Sequence, residues 1–252
     1  MQKATLTAMA LALTVVAGAA QAGGHYIPYN SIQGMGDMRL SNVHVHPHYI
    51  LVNPHLDIDN GIEFGQINSG EMKAVQGLIS KGPKKVTGTS AAVGNTASVD
   101  VKGGAFVEGN QKNYGDATAK LGALVLGAKK VELTSAAIGN ATNVKTKGDA
   151  AVDLNQSNKA YSVEAGLVSG IFTPSYRHGR HDLGKVETTA AAIGNSLSVE
   201  FGGHDDALVS SRQDNWADAT AINLTAVAGR FDSAEVTSAA IGNALNITNV
   251  TD

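Results

Sequence analysis

The 252-residue chain carries 19 basic and 22 acidic side chains, a net charge of −3, which excludes the strongly basic surface that nucleic-acid binding requires. It has no cysteine, so no disulfide holds it together. Aromatics are only 5% and 29 residues are glycine, a composition that suits a thin, regularly stacked interior better than a thick globular core.

The first 22 residues, "MQKATLTAMALALTVVAGAAQA", read as a secretory signal peptide. Lys3 gives the positive start, residues 8–17 an apolar stretch, and Ala20-Gln21-Ala22 the small-residue cleavage site. That apolar run is too short to span a membrane. An outer-membrane barrel is also disfavoured, because its aromatic girdles are missing. The expected location is therefore secreted, extracellular or on the cell surface of a bacterium.

Residues 23–85 read as an irregular N-terminal leader holding five of the 8 histidines. Its start, "GGHYIPYNSIQGMG", suits recognition by an outer-membrane export pore or a nucleator. In "HVHPHYILVNPH", His44, His46 and His48 share one face of an extended segment, a spacing compatible with Zn²⁺ or Cu²⁺. Pro47 disturbs that strand, and spacing fixes no acidic or thiol ligand beside it. A solvated histidine cluster is the favoured reading, with no metal or cofactor expected.

From residue 86 the chain repeats itself. "VTGTSAAVGNTASV", "VELTSAAIGNATNV", "VETTAAAIGNSLSV" and "VTSAAIGNALNI" align at Gly94-Asn95, Gly139-Asn140, Gly194-Asn195 and Gly242-Asn243, in steps of 45, 55 and 48 residues. A second phrase follows the first three: Gln111-x-Asn113, Gln156-x-Asn158 and Gln213-x-Asn215. The predicted units are 86–130, 131–185, 186–233 and a partial 234–252. Self-similarity at this period indicates a repeat architecture. Val, Ile and Thr alternate with small polar residues, the pattern of short strands, and glycine recurs too often for helices. The predicted fold is all-β: a right- or left-handed β-solenoid, with three or four short strands per unit wound into one or two coils.

In such a stack, equivalent amides hydrogen-bond from coil to coil, as in cross-β ladders. The repeated Asn and Gln residues are thus candidate ladders, and the Ala-Ala-Ile triplets a candidate interior at the same level. Gly-Asn is expected to mark a bend, because both residues tolerate positive φ. The "TPSYRHGRHD" insertion at 173–182 reads as a surface loop. Its Arg177, His178, Arg180 and His181 are candidates for anionic polysaccharide, although a plain solvated loop is favoured.

No catalytic motif appears. Residues 34–39 lack the third glycine of a dinucleotide fingerprint, and residues 77–84 lack the Lys-Ser/Thr of a phosphate loop. "GLVSG" is not a nucleophile elbow. Asp205-Asp206 alone does not make a carboxylate cleft, so no enzyme is expected.

At these repeats the sequence resembles the curlin-like secreted proteins that build bacterial surface amyloid fibres. The resemblance rests on the signal, the Gly-rich start that follows it, and Ser, Gln, Gly, Asn and Ala at fixed offsets over 86–252. Curlin repeats are near half this length, so the resemblance implies two curlin-like coils per unit. Holdfast-anchor proteins of stalked bacteria are similar in kind, with secreted Ala/Gly/Asn-rich repeats. "AAIGN" also resembles words in trimeric autotransporter adhesin heads, which repeat far more closely. The expected function is a secreted structural subunit of an extracellular fibre, for surface attachment or biofilm matrix, with itself as the main partner. The alternative is a non-polymerising solenoid adhesin that binds a surface or polysaccharide. The fourth phrase carries no charge over 237–251, so Val236, Ile241 and Ile247 form a predicted assembly edge, completed by a neighbour's first coil or by residues 43–52 as a donor strand.

Overall fold

The computed structural model describes residues 60–82, 84–172, 184–202, 207–229 and 231–250. The signal, His44, His46 and His48, the donor-strand candidate 43–52, the 173–182 insertion and Asp205-Asp206 lie outside the described residues. Twelve strands follow in chain order: β1 (Asn60–Asn68), β2 (Met72–Lys81), β3 (Lys85–Val101), β4 (Ala105–Asn113), β5 (Ala117–Leu126), β6 (Lys130–Thr146), β7 (Ala150–Asn158), β8 (Ser162–Phe172), β9 (Gly184–Gly202), β10 (Ala207–Asn215), β11 (Asp218–Ala228) and β12 (Phe231–Val250). They stack as three parallel sheets of four: β1-β4-β7-β10, β2-β5-β8-β11 and β3-β6-β9-β12. Each coil contributes one strand to each sheet, so the described residues form a β-solenoid of four coils.

Register carries the repeat into three dimensions. Gln66, Gln111, Gln156 and Gln213 are direct neighbours along the first sheet, as are Asn68, Asn113, Asn158 and Asn215. In the third sheet Asn95, Asn140, Asn195 and Asn243 align in the same way. Because side chains alternate across a strand, a slip of one residue would turn every amide to the wrong face.

Three sequence expectations change here. Residues 60–81, assigned to the leader, form β1 and β2 and pair in register with β4 and β5. The units at 86–130, 131–185 and 186–233 are therefore out of phase with the coils, which begin at β4, β7 and β10. The partial unit 234–252 lies in the third face of a fourth coil that β10 and β11 have already begun. Each long repeat is one three-stranded coil, not two curlin-like ones.

The interior is divided. The first halves of β3, β6 and β9 pack on the second sheet through Val131, Leu133, Ala137, Val186 and Ala192 against Leu121, Val125, Leu167 and Ile171. Their second halves pack on the first sheet through Val144, Leu197 and Val199 against Val107, Val152 and Leu154. The Ala-Ala-Ile triplets do not form a single level. Ala137 joins the first cluster, whereas Ile138, on the opposite face by strand alternation, joins Ile193, Ala141 and Ala191 in a third. β6 and β9 are thus buried on both faces around their midpoints.

The Gly-Asn glycines do not serve positive φ; among the described residues that conformation belongs to Gly82, Gly127 and Gly229, at the corner between the second and third sheets. Gly139 is required by close approach instead. A Cβ there would sit 2.5 Å from the Gly194 carbonyl oxygen and 2.7 Å from the Asn158 amide. Backbone on one side and a tethered amide on the other leave nothing free to yield. Gly139→Ala is expected to cost about 1–3 kcal/mol through overpacking. Gly77→Ala, with nothing within 4 Å, should stabilise by about 0.5 kcal/mol. Urea denaturation of the two variants checks the contrast, and equal midpoints would contradict it.

Candidate functional site

The chemically distinctive feature is three amide ladders running along the stack. In the third sheet Asn95 Nδ2 donates to Asn140 Oδ1 at 2.7 Å, Asn140 to Asn195 at 2.7 Å, and Asn195 to Asn243 at 2.7 Å. The second N–H of each donor reaches a first-sheet carbonyl of the following coil: Lys112, Ser157 and Asp214 respectively. Asn68, Asn113 and Asn158 likewise donate forward, ending on Asn215 Oδ1. The glutamines run the other way. Gln111 Nε2 donates back to Gln66 Oε1, Gln156 to Gln111 and Gln213 to Gln156, at 2.6 to 2.8 Å.

These amides are buried in the central coils, where an unpaired polar group is costly. Each glutamine also donates to the third-sheet carbonyl of the residue just after Gly-Asn: Thr96, Ala141, Ser196 and Ala244. The ladders therefore tie the first sheet to the third at the Gly-Asn positions. The ten predicted Asn and Gln ladder positions lie in these three columns, whereas the predicted ladder glycines Gly94, Gly139, Gly194 and Gly242 carry no side-chain amide and sit beside them. Gln66 and Asn68 were missed, although Gln66-Ile67-Asn68 repeats the Gln-x-Asn phrase 45 residues before Gln111. A serine column was missed as well: Ser90, Ser135 and Ser238 donate to the carbonyls of Ala74, Ala119 and Ala221, with Ala190 interrupting it in the third coil.

Outward-facing charges are compensated between columns. Lys85, Lys130 and Lys185 align in register, as do Glu132 and Glu187 beside them, and Lys85 and Lys130 both reach Glu132 while Lys185 pairs with Glu187. Hydrogen bonds from Lys130 and Lys85 hold the Glu132 carboxyl below its ordinary range. Its stabilising contribution is present above the unfolded carboxylate pKa and fades as pH falls through the lower folded value. The pairs are solvent-screened, so that contribution is small. Among the described residues no group of three or more His, Asp or Glu side chains is placed to hold a metal.

The end coils differ from the middle ones. Among the described residues no strand pairs with the outer edge of β10, β11 or β12. Leu245 and Ile247 align with Leu197 and Val199, which are fully buried, yet they are 50% and 48% exposed. Val236, the first predicted edge residue, is also exposed, while Ile241 packs partly against the Ile138–Ile193 cluster.

The described residues thus form a parallel β-solenoid with buried amide ladders, a repeat scaffold. The family described as holdfast attachment protein D matches residues 80–252, more than two thirds of the sequence, and the chain belongs to that family. Neither the curated proteins nor the solved structures provide a match.

Proposed function

We propose that this protein is a non-enzymatic structural subunit that stacks coil on coil into a β-rich fibre serving surface attachment. Membership of the holdfast attachment protein D family supports the attachment role and a cell-surface or extracellular location. The observation that carries the fibre is the fourth coil, where core-equivalent side chains Leu245 and Ile247 face solvent beside an unpaired strand edge. Exposed edges of this kind template further pairing unless charge, proline or a cover blocks them, and no charge stands between Thr237 and Val250. A further coil of the same chain supplies both the backbone partners and the apolar cover.

Negative-stain electron microscopy of the purified chain tests this reading. Unbranched filaments are expected. Discrete particles at every concentration would instead favour a solenoid adhesin that presents its faces to a surface or polysaccharide without polymerising.

A further inference from the structure

The ladders have a direction, and their two ends are complementary. Both asparagine ladders donate from earlier coil to later coil, and the glutamine ladder donates from later to earlier. The C-terminal end therefore presents two donors and one acceptor. Asn243 Nδ2, with no strand beyond β12 among the described residues, donates to the Gln213 carbonyl of its own coil at 3.1 Å. Asn215 Nδ2 makes its bond to the Ala217 carbonyl and has one N–H left, while Gln213 Oε1 accepts nothing among the described residues. The N-terminal end presents the mirror set. Asn95 Oδ1 is buried with no hydrogen-bond partner. Asn68 Oδ1 accepts only a 3.3 Å bond from the Gly70 amide, and Gln66 Nε2 uses one N–H on the Thr96 carbonyl.

Resting on the fibre reading above, we propose that copies join head to tail, in register, with the ladders running unbroken across the joint. Asn243 Nδ2 of one copy donates to Asn95 Oδ1 of the next, Asn215 Nδ2 to Asn68 Oδ1, and Gln66 Nε2 back to Gln213 Oε1. The occupant of each end is thus a second copy of this chain. A head-to-head joint would oppose Asn95 Oδ1 to Asn95 Oδ1, and a tail-to-tail joint would oppose donor to donor, each leaving buried amides unpaired. The joint is heterologous, so it does not close and yields a polar filament. Asn95 is fully buried in the single chain whereas Asn243 is exposed.

Continuing the register, Glu132, Glu187 and Glu235 stack on Thr87, which places Glu235 of one copy beside Thr87 of the next. Both are exposed and the chain has no native cysteine. Neighbouring strands lie about 4.8 Å apart, within disulfide reach. Mixing Thr87→Cys and Glu235→Cys variants under mild oxidation should give the mixed 87–235 dimer as the dominant adduct in filaments. Adducts of 87 with 87 and 235 with 235 would overturn the polarity. Filaments without either adduct would overturn the end-to-end joint while leaving the fibre reading standing, and particles alone would remove both. In parallel, Asn243→Asp keeps the acceptor for Asn195 and loses the outgoing donor. It should slow seeded elongation at least tenfold with only a small drop in the melting temperature of the single chain, because the lost 3.1 Å bond to the Gln213 carbonyl is exposed; elongation at the parent rate would overturn the ladder pairing.

Discussion

Ile193→Asp is expected to unfold the central coils at neutral pH, whereas Lys145→Glu should lower the melting temperature by a few degrees at most. Ile193 is fully buried and packed with Ile138, Ala141 and Ala191. None of these neighbours can hydrogen-bond a carboxylate through its side chain, so the charge is uncompensated. Burying it costs several kcal/mol, a large part of the roughly 5–15 kcal/mol that holds a typical domain together. Lys145 is a different case. Its ammonium pairs with Glu200 at 2.5 Å, and the two side chains are 42% and 36% exposed. Reversing its charge replaces attraction by repulsion across a solvated pair worth about 0–1 kcal/mol. Thermal melts followed by circular dichroism separate the two. Comparable losses in both variants would contradict the assignment of buried and outer positions.

The ladder positions were legible in the sequence because stacking demands the same amide at the same place in every coil. Any residue type that must meet its own kind about 4.8 Å above and below leaves a period in the chain. Coil boundaries were not legible for the opposite reason. The most conspicuous phrase, Gly-Asn, falls in the interior of β3, β6, β9 and β12. The true corners use varied residues, such as Ser69-Gly70-Glu71, Tyr114-Gly115-Asp116 and Lys159-Ala160-Tyr161. Counting units from the loudest phrase therefore shifted the frame by two strands and made a complete fourth coil look like a fragment. The same shift hides the first coil, since Gln66-Ile67-Asn68 falls within the 23–85 leader.

That reframing changes how the terminal strand can be probed. Removing residues 233–252 would take away nearly all of β12, one whole face of the fourth coil, and expose β9 along its length. Loss of filaments in such a truncation would report damage to the solenoid as readily as loss of a joint. Asn243→Asp leaves β12 paired with β9 and keeps the acceptor for Asn195, and beyond one exposed bond to the Gln213 carbonyl it alters what the end offers to another copy.

The ladder's energetic role has a test with an unusual pH signature. Gln156 Nε2 donates to Gln111 Oε1 at 2.8 Å and to the Ser196 carbonyl at 3.0 Å, and its Oε1 accepts from Gln213 at 2.7 Å. Gln156→Glu keeps the shape and the acceptor but replaces two donors by a charge facing two oxygens. Desolvation and those oxygens should raise the folded-state pKa of the new carboxyl above its unfolded value of about 4.3. The penalty is then fully present above the folded pKa and is relieved as pH falls toward the unfolded one. At neutral pH the variant should lose several kcal/mol relative to the parent chain. Near pH 4 the protonated acid regains one donor, and the gap should narrow to about 1–2 kcal/mol, the scale of one missing buried hydrogen bond. Gln156→Leu, which has nothing to titrate there, should lose about 1–3 kcal/mol at both pH values. Urea denaturation of all three chains at the two pH values measures this directly. If Gln156→Glu and Gln156→Leu lose the same amount at both, the glutamine column is packing material rather than a hydrogen-bonded ladder.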